Sequence, residues 1–308
     1  MSSLIPRRAF LVGSAAGVLV TACGDETHSA TSTTTVASDT SFQLIAGFPR
    51  SDPYAVAGTP QRLPFLIAGP DGAPLDNIDG VVEFEISKDR STVGPPIKVT
   101  PHHIGSHQGE GHENHGGVSR AYLPLEVTFP DTGLYDLTAT YQGSELTSSV
   151  QAVDASEVKL PQVGSPLPSA ETPTTTDHRG VEPLCTNDPI CPFHSVNLAD
   201  ALAEHRPVLL LVSTPKYCQI AICGPVLDEL IDAVATRTDL VVIHHEVYAN
   251  PDAVTSIAEA SLAPLLQTYG MAFEPSLFVA DRTGTLVGRL DMVYDRVELD
   301  AAIEAALA

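Results

Sequence analysis

Residues 207–230, PVLLLVSTPKYCQIAICGPVLDEL, constrain this chain most. Five apolar residues, Val208 to Val212, run without a break and stop at Ser-Thr-Pro. A short apolar run ended by a turn reads as a strand buried on both faces, which requires covering layers above and below it. Beyond the turn the residues read as a helix whose first turn carries Cys218, with Val226, Leu227, Leu230, Ile231 and Val234 at helical spacing. A thiol at a helix start feels the unpaired N–H groups there, and these favour the thiolate. Cys223 comes five residues later.

The elements around this stretch read in order. Ser195 is a candidate N-cap for a short helix over 198–204, where Leu198, Ala201 and Leu202 share a face. After the 208–212 strand and the Cys218 helix come a strand over 240–248 and a helix over 252–268 interrupted at Pro264. A strand over 276–280 is entered through Phe273-Glu274-Pro275. Asp281-Arg282-Thr283-Gly284 turns into a strand over 285–290, and an amphipathic helix over 296–307 closes the chain.

This order (buried strand, turn, cysteine at a helix start, then P-V-L-D-E-L, and later E-P-S-L-F-V) resembles the thioredoxin-like superfamily over residues 195–308. The resemblance implies thiol–disulfide exchange, with Cys218 as nucleophile, Cys223 as resolving thiol and Pro275 as the cis proline beside them. A cis bond there would expose the backbone of Glu274 to an extended substrate. The pattern also departs from the family's. The spacing is C-x4-C rather than C-x-x-C, and on a regular helix residues 218 and 223 would point about 140° apart. The P-V-L-D-E anchor puts Cys223 about a turn deeper in the helix, so C-G-P-V at 223–226 is not read as an altered C-G-P-C. Val208–Ser213 also lacks the buried acid that thioredoxins place there.

The start of the chain reads as an address. Residues 1–22 hold Arg7-Arg8, then an apolar run to Ala22 with no acidic residue, the anatomy of an export signal and short for a membrane span. PRRAFLV resembles a twin-arginine signal, and V-T-A-C at 20–23 is similar to a bacterial lipobox. Together they imply cleavage before Cys23, a lipid on its sulfur, and an extracytoplasmic protein anchored to the cell membrane. Residues 23–40 read as a lipidated tether. The formal net charge of −22 argues against nucleic acid and anionic membrane surfaces as partners.

Residues 41–154 alternate strands with turns such as Gly-Pro-Asp-Gly at 69–72 and Pro-Asp-Thr-Gly at 130–133. Leu134, Asp136, Thr138 and Thr140 alternate with Tyr135, Leu137, Ala139 and Tyr141, as a half-buried antiparallel strand requires. The expectation is an all-β sandwich of immunoglobulin-like shape. A glycine-rich insertion carries His102, His103, His107, His112 and His115 beside Glu110 and Glu113. Such a loop suits copper or zinc, although its spacing matches no rigid ligand pattern.

Residues 155–194 form a linker rich in Pro, Ser and Thr that ends in C-T-N-D-P-I-C-P-F-H. Outside the cytoplasm, the plainest reading of Cys185 and Cys191 is a structural disulfide. A redox pair working with Cys218 and Cys223, and a soft-metal site of Cys185, Cys191 and His194, are the alternatives. The expected function is a membrane-anchored thioredoxin-like oxidoreductase that acts on thiols or disulfides of exported proteins and requires no cofactor. One alternative is a copper- or zinc-handling lipoprotein. Copper-delivering members of the resembled family pair two cysteines with a distant histidine, for which His244 or His245 is a candidate. The other is a non-catalytic thioredoxin-fold binding module with structural disulfides.

Overall fold

The computed structural model describes residues 41–50, 52–104 and 120–308. Ten strands come first: β1 (Gln43–Ala46), β2 (Ala55–Val56), β3 (Pro60–Ala68), β4 (Val82–Lys88), β5 (Ser91–Thr92), β6 (Ile97–Val99), β7 (His102–Ile104), β8 (Arg120–Thr128), β9 (Gly133–Tyr141) and β10 (Ser144–Val153). The second half runs α1 (Leu198–Ala203), β11 (Val208–Val212), α2 (Cys223–Val234), β12 (Val241–His245), α3 (Pro264–Tyr269), β13 (Ser276–Ala280), β14 (Leu286–Asp291) and α4 (Arg296–Leu307). The protein is a mixed α/β fold, mostly sheet, and none of its described helices is long and apolar enough to cross a membrane.

The first half forms two sheets, in the orders β1-β3-β8-β7 and β2-β10-β9-β4-β5, with β6 also beside β4. Strand alternation decides which side chains meet between them. In β9, Tyr135, Leu137, Ala139 and Tyr141 are buried, whereas Leu134, Asp136 and Thr140 are exposed. Phe65 of β3 meets Phe84 of β4 across the layer, with ring centroids 5.6 Å apart.

The third sheet has the order β12-β11-β13-β14, with β12 parallel and β13 antiparallel to β11. As its apolar run requires, every residue of β11 is buried. The 281–284 turn forms as its sequence indicates. Asp281 Oδ1 accepts the N–H groups of Thr283 and Thr285, and Gly284 takes the positive φ of 78°.

Three local expectations are corrected. The N-cap of α1 is Asn197, whose side chain accepts the Asp200 N–H; Ser195 is not the cap. Helix α2 begins at Cys223, so Cys218 lies in the loop before it and Cys223 opens the helix. Ala221 has φ of 54°, outside the helical region, so no regular helix passes through it. Over 252–268, two 3-10 turns at Pro251–Ala253 and Ile257–Glu259 precede α3. Pro264 starts that helix rather than interrupting it, because a first-turn residue has no N–H partner to lose.

One polar cluster ties the two-sheet half to the last helix. Arg62 of β3 grips Glu298 of α4 through Nε at 2.5 Å and Nη2 at 2.7 Å. Arg62 also donates to the carbonyls of Val293 and Asp291. Tyr122 of β8 donates to Glu298 at 2.5 Å. Nearby, Asp291 accepts from Tyr54, Ser276 and Arg289, at 2.6 to 2.8 Å. Side-chain exposures of 11% and 13% leave Arg62 and Glu298 little water to fall back on. Removing one partner of such a pair strands the other charge, typically at about 3–5 kcal/mol. Glu298→Ala should therefore lose about that much stability in denaturant titration, and Arg62→Met with Glu298→Leu should recover much of it.

Candidate functional site

The loop between β11 and α2 holds the more accessible thiol. Helix α2 has no side-chain hydrogen bond at its N-cap, Ile222, so its first N–H groups need another acceptor. Cys218 supplies one: its Sγ accepts the Cys223 N–H at 3.3 Å. Hydrogen bonding from the Cys223 thiol is the largest influence pulling the Cys218 pKa down to about 6, with the N–H groups of Cys223, Ile220 and Ile222 adding to it. Partial burial opposes the shift. Cys223 moves the other way, because burial and then the neighbouring Cys218 raise its pKa well above the ordinary thiol value. Cys218 is half-buried, Cys223 is fully buried, and both are free thiols.

The wall beside this loop comes from β13. The register sets Ser276 opposite Val212, so Pro275 comes level with Ser213, where the Cys218 loop departs. The Glu274–Pro275 bond is cis, and the Pro275 carbonyl accepts the Met292 N–H at 2.8 Å. The Glu274 carboxyl is raised to about 7, chiefly by burial and further by the nearby Cys218 thiolate. An acid therefore does border the thiols, on the residue before the proline rather than in β11. Lys216 and Tyr217 anchor the loop's outer side on Asp252, the lysine at 2.9 Å.

Cys185 and Cys191 do not form the expected disulfide. Their sulfurs lie 3.8 Å apart, against about 2.05 Å for a bond. Both are free thiols, drawn instead toward imidazole nitrogens. Cys191 Sγ lies 3.1 Å from His194 Nε2 and 3.4 Å from His244 Nδ1, and Cys185 Sγ lies 3.6 Å from the same His244 atom. His244 lies near the end of β12, and its N–H bonds to the Phe193 carbonyl, which holds the two segments together. Its Nε2 faces Ser213 Oγ at 3.0 Å, leaving Nδ1 to the sulfurs. Hydrogen bonding from Cys191 and the two histidines lowers the Cys185 pKa, while Cys191, beside that anion and buried, is raised. The four residues are buried, and their donor atoms lie within 4.8 Å of one another. They could hold a metal ion such as zinc.

His244 therefore faces Cys185 and Cys191, while the buried ring of its neighbour His245 turns Nδ1 to the Glu246 carbonyl at 2.7 Å. The sequence offers His244 or His245 as a distant histidine for a cysteine pair, but that His244 meets Cys185, Cys191 and His194 is not legible along the chain, since these partners lie fifty or more residues away. The available signal was a three-donor segment, Cys185, Cys191 and His194, lacking a fourth donor.

Of the histidine-rich insertion, His102 and His103 lie in β7, whereas His107, His112 and His115 fall outside the described residues, as does Cys23. His102 Nδ1 pairs with Asp295 at 2.9 Å, and His103 Nε2 meets Asn77 Oδ1 at 3.1 Å. Glu298 lies near His102 and Asp295, but its two oxygens already accept from Arg62 and Tyr122.

No protein-family model matches the chain, and no curated protein matches it in sequence. The site's chemistry rests on its own geometry. With a Cys218 pKa near 6, alkylation of the reduced protein should rise through pH 6 and level off by about pH 7 to 7.5. The check is a rate profile by mass spectrometry in which Cys223 stays slow. A Cys218 rate still climbing steeply above about pH 8 would contradict the assigned environment.

Proposed function

We propose that this chain is an extracytoplasmic, lipid-anchored thioredoxin-like thiol–disulfide oxidoreductase acting on exported proteins. The observation that carries the reading is the asymmetric thiol pair beside Pro275. Cys218 is accessible and depressed to about 6, Cys223 is buried and raised, and the pair's backbone contact is 3.3 Å. The order α1-β11-α2-β12-α3-β13-β14-α4 and the strand order β12-β11-β13-β14 support a thioredoxin-like assignment for this half. The two facing sheets support an immunoglobulin-like assignment for the first half. The export signal, lipobox and Cys23 support the location.

The exchange follows from the pair's asymmetry. The Cys218 thiolate attacks one sulfur of a substrate disulfide, forming a mixed disulfide and releasing the other sulfur as thiolate. Cys223 then loses its proton and attacks the Cys218 sulfur. That step frees the substrate's second thiol and leaves a Cys218–Cys223 disulfide. Run backwards, the same steps oxidise a substrate dithiol. Glu274, raised to about 7 and felt electrostatically by both thiols, is the acceptor we assign to the Cys223 proton, and the backbone at 274–275 borders the approach of an extended substrate.

The test is exchange with a disulfide-scrambled or reduced protein. Cys218→Ser should abolish turnover. Cys223→Ser should accumulate a mixed disulfide through Cys218 that dithiothreitol releases. A Cys218→Ser variant as active as the wild type would overturn the proposal.

A further inference from the structure

The geometry points to a closed structural zinc centre of Cys185, Cys191, His194 and His244, separate from the Cys218–Cys223 pair. A tetrahedral ion with bonds of about 2.3 Å to sulfur and 2.0–2.1 Å to nitrogen sets S···S edges of about 3.8 Å and S···N edges of about 3.5 Å. The protein has a sulfur–sulfur distance of 3.8 Å and sulfur–nitrogen distances of 3.1, 3.4 and 3.6 Å. Two cysteines packed only as apolar side chains have no need to gather two imidazoles around them. A disulfide would have closed the sulfurs and left both imidazoles without their partner.

The donor set selects the ion. Two thiolates and two imidazoles at tetrahedral separations suit zinc, and an iron–sulfur cluster with the same donors would need added sulfide. Burial selects the role. Cys185, Cys191, His194 and His244 are exposed by only 5%, 4%, 2% and 1%, so no coordination position opens to substrate. The outer contacts are those of a built site. Ser213 fixes the far nitrogen of His244 at 3.0 Å, which sets the ring's orientation. Glu246 receives the N–H and hydroxyl of Thr186, next to Cys185, at 2.6 and 2.8 Å.

The centre thereby fastens the segment ahead of α1 to the end of β12. It also reaches the neighbouring thiol loop, because Thr186 Oγ1 accepts the Lys216 N–H at 3.3 Å, two residues before Cys218. Zinc binding releases the thiol protons as the thiolates form, and no redox change is involved.

The test uses the full chain purified under reducing conditions and loaded with zinc or, separately, cobalt(II). The wild type should retain a zinc ion through dialysis. Its cobalt form should show a thiolate-to-metal charge-transfer band and the intense visible bands of a tetrahedral site. Cys185→Ser with Cys191→Ser should lose these bands, and Cys218→Ser with Cys223→Ser should keep them. Histidines outside the cluster cannot produce the thiolate band, so binding elsewhere is not mistaken for this centre. The wild-type spectrum and the Cys218/Cys223 variant decide the matter even if the other variant misfolds. A wild type without the thiolate band, a band lost with Cys218 and Cys223, or a Cys185–Cys191 disulfide persisting in zinc-loaded protein would overturn the assignment.

Discussion

The second half of the molecule depends on burying β11. All five of its residues are buried, flanked by β12 and β13 and covered on both faces, and this fixes where polar chemistry can emerge. Nothing along Val208–Val212 can pair with an ion or a thiol, so polar groups gather at the strand's carboxyl end. Ser213, Thr214, His244, His245, Glu246 and Ser276 are all buried there or on the adjoining strand ends. Buried polar groups persist by finding partners, and here Ser213 meets His244, His244 meets the Cys185 and Cys191 sulfurs, Glu246 accepts from Thr186, and Ser276 donates to Asp291.

Two sulfur centres share that end with opposite designs. Around Cys218, donors stabilise one thiolate and leave it half-exposed, whereas Cys223 behind it stays protonated. Around Cys185 and Cys191, every donor faces inward and burial is nearly complete. The first arrangement favours reactivity, and the second favours a permanent ligand set. Ser213 links them, since its side chain orients His244 and its backbone leads into the Cys218 loop.

Much of the fold was legible because burial imposes periodicity. The 208–212 run, the 276–280 strand, the 296–307 helix and the alternation in β9 all reflect which faces must be dry. Less legible were features set by a single backbone angle or a distant partner. The start of α2 depends on the positive φ of Ala221, which no apolar pattern encodes. Asn197 displaces Ser195 as cap through one hydrogen bond to Asp200. Side-chain neighbours divide the same way: Cys218, Cys223 and the cis Pro275 each belong to a stretch of local order, whereas His244 meets Cys185 and Cys191 because its backbone N–H bonds the Phe193 carbonyl and so draws the 185–194 segment against β12.

The decisive quantity is the reduction potential of the Cys218–Cys223 couple. Structural disulfides of secreted proteins generally lie below about −300 mV, and exchange-competent pairs lie above. Equilibrating the folded protein against graded dithiol buffers and trapping free thiols with an alkylating agent reads the couple by mass spectrometry. The expected result is a reversible two-electron transition above about −300 mV, from a pair that reduces without unfolding. A pair that stays oxidised until the protein unfolds would make it a staple, and the exchange function would fall.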